Sequence, residues 1–251
     1  MKAAPQPLVE QLPWDSEFFG RAIGRARSGR LDSSSAAQLV GEATEAGLEC
    51  VYFVAGSDDV TTVLAAEERG FHLVDVRLVL ERPAALPLAA HGDGADFSVE
   101  PARAEDLPQL EPIAEQVARL SRYACDPHFS AAETARLYRV WIANALRGYA
   151  DVVLVARERA AGEVLGFLCC KMHGELCDLQ LAGVTEEQRQ RKIGRALFEA
   201  GIRWGQGQGA TRLQIVTQGR NVAAQRLFQQ LGFLTSEVKL CYHLWLPRRP
   251  R

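Results

Sequence analysis

Apolar residues recur at two spacings along this chain, and the points where one spacing gives way to the other mark its elements. In "FSVEPARAEDLPQLEPIAEQVARL" a short strand-like start passes into Leu107, Leu110, Ile113, Val117 and Leu120, which share one helical face. Glu105 and Asp106 suit the positive start of that helix, Pro108 is tolerated in its first turn, and Pro112 is expected to bend it. Leu137, Val140, Trp141 and Ala145 in "LYRVWIANALRGYA" keep helical phase and predict a second helix. Three apolar runs follow, "DVVLVAR", "VLGFLCCKM" and "LCDLQLAGV", separated by "ERAAGE" and "HGE", and they predict an antiparallel meander. A helix beginning near Ile193, a strand at "RLQIVT", a helix at "NVAAQRLFQQLGF" and a final strand near "VKLCYHLWL" complete the order. Strand, two helices, three strands, helix, strand, helix, strand is a mixed α/β (α+β) succession.

One stretch breaks the periodicity. "ERPAALPLAAHGDGAD", residues 81 to 96, carries two prolines and two glycines and reads as a linker. The expected organisation is an N-terminal part at 1–85, a linker at 86–96, a main domain at 97–247 and a solvated tail at 248–251. Residues 47–82 align without a gap on 209–244 at a constant offset of 162, with Gly47 on Gly209, Val60 on Val222 and Gly70-Phe71 on Gly232-Phe233. Seven identities in thirty-six residues fit two readings, the shared grammar of strand, helix, Gly-Phe turn and strand, or a partial duplication. The N-terminal part has no counterpart of the basic loop at 185–199, so a structural role and a share of the acceptor pocket are expected of it.

Composition narrows the functions. With 251 residues and 47% hydrophobic side chains the chain can bury a substantial core. A formal charge of −2, from 29 basic and 31 acidic residues, supplies no overall field to recruit nucleic acid or an anionic membrane. Neither the N-terminus nor any later segment has the apolar run of a signal peptide or membrane span, so the cytoplasm is expected. The six cysteines form no CxxC pair and no zinc-ligand spacing with histidine, which reads as buried thiols and no metal site.

The candidate chemistry starts at "TEEQRQRKIGRALFE", residues 185–199. A helix start offers unpaired N–H groups and the positive end of the macrodipole, and Arg189, Arg191, Lys192 and Arg195 add local charge. On charge alone, a phosphate site and a solvated basic helix start are both open.

Order and spacing carry a resemblance. The chain resembles the GNAT superfamily of acetyl-CoA-dependent N-acetyltransferases over roughly residues 97–247, through "VEPARAEDLPQL", the loop above and "NVAAQRLFQQLGF". The resemblance implies a mixed, mostly antiparallel central sheet flanked by helices, here preceded by a smaller partial GNAT-like α/β domain. It implies that the signature Q/R-x-x-G-x-G/A wraps the coenzyme pyrophosphate. Counted from Val184 the motif falls on Arg189, Lys192 and Gly194; a second register on Arg191, Gly194 and Ala196 fits the letters but sits two residues late. In the preferred register lysine replaces the first glycine and must adopt a backbone that glycine reaches freely, at about 1 kcal/mol or more if φ is positive. The implied coenzyme contacts are the main chain of Leu181, Ala182, Gly183 and Val184, the loop residues Arg189, Gln190, Arg191, Lys192, Ile193, Gly194, Arg195 and Ala196, and Asn221 with Phe228 on the late helix. Asn221 also reads as a plain helix N-cap.

A closer resemblance, to the TDP-fucosamine acetyltransferase group, covers nearly the whole chain through "LPWDSEFFG", "GFHLVDVRLVLE", "SRYACDPHF" and "TQGRNVAAQRLFQQLGF". It implies transfer of acetyl to the amine of a TDP-linked 4-amino-4,6-dideoxygalactose, a small sugar-nucleotide partner and a homodimer. In that group a tyrosine on the late helix often protonates the leaving thiolate; Phe228 stands there and has no proton to give. Tyr242 and Tyr123 are the candidate general acids, and Glu175 and Asp178 the candidate bases, although both carboxylates also read as plain strand-edge residues. Arg122, Tyr123, Asp126 and His128 are the candidate acceptor contacts, an arginine for phosphate and a tyrosine to stack on a base, against the reading that Asp126-Pro127 is a turn and Arg122 a surface residue. Two alternatives stand beside this: the same fold acting on a protein, peptide or polyamine amine, and a non-catalytic acyl-CoA-binding module.

Overall fold

A computed structural model describes residues 6–88, 96–188 and 191–247. Two compact units divide at 77/78 and again at 236/237, so each is made of the segments on its side of both points. This differs from a single cut in the 86–96 linker, because two long strands, His72–Pro83 and Leu234–Trp245, each begin in one unit and end in the other.

The first unit holds β1 (Val9–Gln11), α1 (Pro13–Phe19), β2 (Ile23–Ala26), α2 (Ser33–Glu45), β3 (Cys50–Gly56), α3 (Val60–Glu68) and the first half of β4 (His72–Pro83). β1 pairs antiparallel with β2, β2 runs parallel to β3, and β3 pairs antiparallel with the end of the last strand from Lys239↔Gly56 to Trp245↔Cys50. Its core gathers Leu39, Leu48, Val51, Phe53, Phe71, Tyr242 and Leu244.

The second unit holds the rest of β4, then β5 (Phe97–Pro101), α4 (Leu107–Ala118), α5 (Ala131–Asn144), β6 (Val152–Glu158), β7 (Val164–His173), β8 (Leu176–Val184), α6 (Ile193–Gly207), β9 (Arg212–Gln218), α7 (Val222–Gln230) and the start of β10 (Leu234–Trp245). β6 through β8 are the expected antiparallel meander, β5 adds to it by pairing antiparallel with β6, and β9 joins β8 in parallel. The fold is therefore the mixed, mostly antiparallel sheet flanked by helices that the sequence predicts. Cys169 and Cys170 point to opposite faces of β7 and both are buried, which requires cover on both faces of the meander. Glycines allow the helices to approach: a Cβ on Gly201 of α6 would lie 2.6 Å from Leu168 Cδ2.

The repeat at offset 162 extends to the element boundaries. β3 maps onto Arg212–Gln218, α3 onto Val222–Gln230 and β4 onto Leu234–Trp245 with no residue gained or lost. Asp59 and Asn221 both cap the following helix through the N–H three residues on, and Gly70 and Gly232 take φ of 82° and 84°. The match reaches further back than the aligned stretch, since α2, shifted by the same offset, covers 195–207 and ends where α6 ends.

The segment after β4 is pinned by one buried side chain. Arg82, 1% exposed, donates from Nε to the Leu231 carbonyl at the end of α7 (2.8 Å) and from its Nη groups to the carbonyls of Pro83 (3.1 Å), Pro87 (3.3 Å) and Leu86. Burial lowers its pKa, and a helix C-terminus is the end that favours a cation.

Candidate active site

β8 changes partners part-way along. Its pairing with β9 runs from Leu176↔Arg212 to Leu179↔Ile215, whereas its pairing with β7 continues to Gly166↔Val184. Between Leu168↔Ala182 and Cys170↔Leu179, three steps along β8 oppose two along β7, which is a β-bulge at Gln180 and Leu181. The bulge re-aims the strand, and the β9-side edge of Leu181, Ala182, Gly183 and Val184 leaves the β9 ladder. An edge of this kind offers main-chain N–H and C=O groups to an extended ligand, as an added strand would be received.

The start of α6 lies at the same end, against the second half of α7. Gly194 in the first turn of α6 is close enough that a Cβ would lie 3.8 Å from Val184 Cγ2 and 3.6 Å from Leu227 Cδ2 of α7. α6 begins without a side-chain cap, and its N-cap residue, Lys192, has φ 62° and ψ 12°. It is the sole positive-φ residue other than glycine among the described residues. That left-handed conformation is one glycine reaches freely, and an exposed lysine holds it at a cost. The corresponding helix of the first unit is closed off: Asp32 caps α2 with its own carboxylate, accepting the Ser35 N–H at 2.7 Å. Where the C-terminal half has Arg191, Lys192, Arg220 and Asn221, the offset places Gly29, Arg30, Asp58 and Asp59, which line a cavity of about 420 Å³ with carboxylates instead. Of these two helix starts, that of α6 is the one without an acidic cap, which suits an anion.

The other predicted residues divide. Arg189 and Gln190 lie outside the described residues. Arg191 is turned toward acids, with Nη atoms 3.6 Å from Asp96 and 3.7 Å from Glu158, and also meets Gln188. Ile193 and Ala196 are buried beneath the first turn of α6. Arg195 is held by Glu199. Asn221 is an N-cap, accepting the Ala224 N–H at 3.2 Å. Phe228 is 4% exposed, with its ring 4.9 Å from Phe198 and 6.3 Å from Phe233, so it is a core residue beside the site.

The candidate acid and base assignments need correction. Tyr242 is buried in the core of the first unit, its ring 6.1 Å from Phe53 and its hydroxyl 3.4 Å from Glu67, and burial first, then Glu67, raises its pKa. It is not on the strands that form the open edge. Glu175 lies just before the opposite end of β8, where it accepts from the Thr211 hydroxyl at 3.1 Å; it is seven residue steps from Ala182, roughly 23 Å. Asp178 is roughly 13 Å from Ala182 along the strand and accepts from Gln180 Nε2 at 3.2 Å.

In the loop after α4, Tyr123 is 4% exposed, packed edge-on to Phe129 and Trp141, and bonded through its hydroxyl to Arg122 at 2.9 Å. It is a buried anchor and presents no face for a base to stack on. Asp126 is also buried and turned inward, accepting the His128 N–H at 3.0 Å with His128 Nδ1 at 2.9 Å. The turn reading of Asp126-Pro127 therefore holds, leaving half-buried Arg122 and exposed His128 as the more accessible of the four candidate acceptor contacts. The loop leaves α4 beside the open edge: Gly183 packs under Val117 and Ile113, Gln116 accepts the Glu186 N–H at 3.1 Å, and Arg119 lies 3.6 Å from Glu186. Sequence reasoning missed Gln116 and Arg119 because they read as solvent-facing helix positions. It also missed Glu199, whose signal was a lone acid between Phe198 and Gly201 on an apolar face, four residues after Arg195.

Residues 117–233 match the acetyltransferase (GNAT) family. A dTDP-fucosamine acetyltransferase of Escherichia coli O6:H1 is 25% identical over 224 residues, covering 89% of this chain and 92% of that protein. SpsD, a spore coat polysaccharide biosynthesis protein of Bacillus subtilis (strain 168), is 30% identical over 149 residues, 59% of this chain and about half (51%) of that protein. Among solved structures, a GCN5-related N-acetyltransferase from Sphaerobacter thermophilus shares the fold at a TM-score of 0.66 and 13% identity, covering 96% of this chain and 76% of that one.

Proposed function

We propose that this chain, whose residues 117–233 match the GNAT family of acetyltransferases, moves an acetyl group from acetyl-CoA to the primary amine of a nucleotide-linked amino sugar resembling TDP-4-amino-4,6-dideoxygalactose. The observation that carries the acceptor class is the 25% identity to a dTDP-fucosamine acetyltransferase across 89% of the chain, first unit included. The open edge of β8 and the uncapped start of α6 fit the coenzyme, one as a main-chain partner for an extended arm and the other as an anion cradle. Acetyl-CoA, when bound, supplies the activated carbonyl that a neutral amine attacks.

The chain's own part is positional and electrostatic. Main-chain N–H groups of Leu181 to Val184 polarise the carbonyl oxygen, and those of Ala182 to Val184 cost little to reorient because the β7 ladder fixes that stretch. The N–H groups of Ile193, Gly194 and Arg195, free at a helix start, hold phosphate. Phe228 excludes water from the coenzyme side and donates no proton; a thiol with a pKa of about 8.5 leaves acceptably without a dedicated acid. Arg122 and His128 face the acceptor from the anchored 119–130 loop. A homodimer, a cytoplasmic location, and independence of metal, nucleic acid and membrane complete the proposal.

The test is thiol release from acetyl-CoA with TDP-4-amino-4,6-dideoxygalactose, using the 4-keto precursor as the control that lacks the amine. Release that requires the amine supports the acceptor. Release with a peptide or polyamine and none with the sugar nucleotide overturns it.

A further inference from the structure

We propose that Glu199 is a positioning residue that pre-sets the Arg195 guanidinium for a phosphate of the coenzyme. This rests on the reading of the α6 start as the coenzyme phosphate site, and it is independent of the acceptor.

Glu199 is 1% exposed and sits on the face of α6 that otherwise buries Ile193, Ala196, Leu197, Phe198, Gly201 and Ile202. A carboxylate there carries a desolvation penalty that an apolar residue of similar size would avoid, so packing alone does not account for it. Its oxygen lies 2.8 Å from Arg195 Nε, one helical turn earlier, and the Arg195 side chain is 21% exposed. That bond engages one of the five guanidinium N–H donors, and the Nη groups carry the other four.

The place of Arg195 gives the pair its meaning. It is the third residue of α6, where the macrodipole is positive and a cation is unfavourable, and the first turn of α6 contains no acid. A long side chain in such a position would ordinarily swing away into solvent. Glu199 instead fixes its Nε on the same first turn that carries the free N–H groups of Ile193 and Gly194, so an anion at that start can meet main-chain and Arg195 donors together. Ordering one such side chain in advance is worth about threefold to tenfold in affinity.

The experiment is the dissociation constant of Glu199→Gln for acetyl-CoA and, by competition, for S-acetylpantetheine, which has no phosphate. The expected result is about threefold to tenfold weaker binding of acetyl-CoA and unchanged binding of S-acetylpantetheine. Glu199→Asp, which keeps the charge and shortens the reach, should weaken acetyl-CoA similarly, and Glu199→Gln should add nothing further in an Arg195→Gln background. Equal losses for both ligands, no loss for acetyl-CoA, or additive losses in the double variant would overturn the proposal. Thermal melts of each variant confirm that folded protein is compared. A wild-type protein that binds no acetyl-CoA overturns the coenzyme reading along with this one, whereas one that binds it and refuses the amino sugar overturns the acceptor alone.

Discussion

Replacing Lys192 by glycine isolates the backbone cost at the start of α6. The residue holds φ 62° and ψ 12°, and a left-handed conformation costs an L side chain about 1 to 2 kcal/mol. Glycine removes that cost and loses about 0.5 to 1 kcal/mol of unfolded-state freedom, so Lys192→Gly should leave the fold between about 0 and 1.5 kcal/mol more stable. For a chain of this size that is an upward shift in Tm of a few degrees at most, about 2 to 4 °C per kcal/mol. Lys192→Ala is the control, because it removes the ammonium and keeps the backbone cost; it should match wild type within about 0.5 kcal/mol. The assay is thermal unfolding of the three proteins without ligand, followed by calorimetric titration with acetyl-CoA. An exposed ion pair is worth up to about 1 kcal/mol, so affinity in Lys192→Gly should stay within about threefold to fivefold of wild type. A glycine variant less stable than the alanine variant, or one that loses more than about tenfold in affinity, would refute the register that puts Lys192 at the first glycine of the motif.

Three further outcomes follow from the same geometry. Gly183→Ala puts a Cβ 2.7 Å from Val117 Cγ2 and 3.0 Å from Ile113 Cγ2; overpacking of this kind costs about 1 to 3 kcal/mol, read by chemical denaturation, and should raise the KM for acetyl-CoA by displacing the open edge. Phe228→Tyr supplies the proton donor that this position carries in the wider group, and thiol release should rise severalfold while the buried hydroxyl lowers stability by about 1 kcal/mol; an unchanged rate would put thiolate protonation elsewhere. Burial pushes the Cys169 and Cys177 thiols up to about 12 and raises Cys170 as well. The unfolded thiols lose their protons first, so the stability these neutral groups confer is complete below about pH 8.5 and falls as pH climbs toward 12, by about 1.4 kcal/mol per group per pH unit. Denaturation midpoints from pH 8 to 11 should show this slope, and Cys169→Ala should reduce it.

Much of the fold is legible in the order of residues because its signals are local. Alternation and helical phase mark the meander and the helices of residues 97–247, and they also carry the 162-residue repeat, since strand, cap, Gly-Phe turn and strand are each written within a few neighbours. The backbone demand on Lys192 was likewise readable, because a motif position that normally holds glycine specifies a dihedral angle. Partnership was not. Whether Tyr242 faces a substrate or Glu67, and whether Tyr123 stacks on a base or anchors Phe129 and Trp141, depend on which side chains the fold buries together, and whether Asp126 is offered outward or folded onto His128 depends on the path of its own turn. Glu175 looked equivalent to any carboxylate of the meander until the strand direction put it at the far end of β8. The open edge itself is a property of the sheet: nothing in "LCDLQLAGV" says that β9 stops pairing at Leu179, because that depends on the bulge against β7 and on where the parallel neighbour runs. Local chemistry is encoded by spacing along the chain, whereas the site is made by strand pairing and burial, which only the folded chain decides.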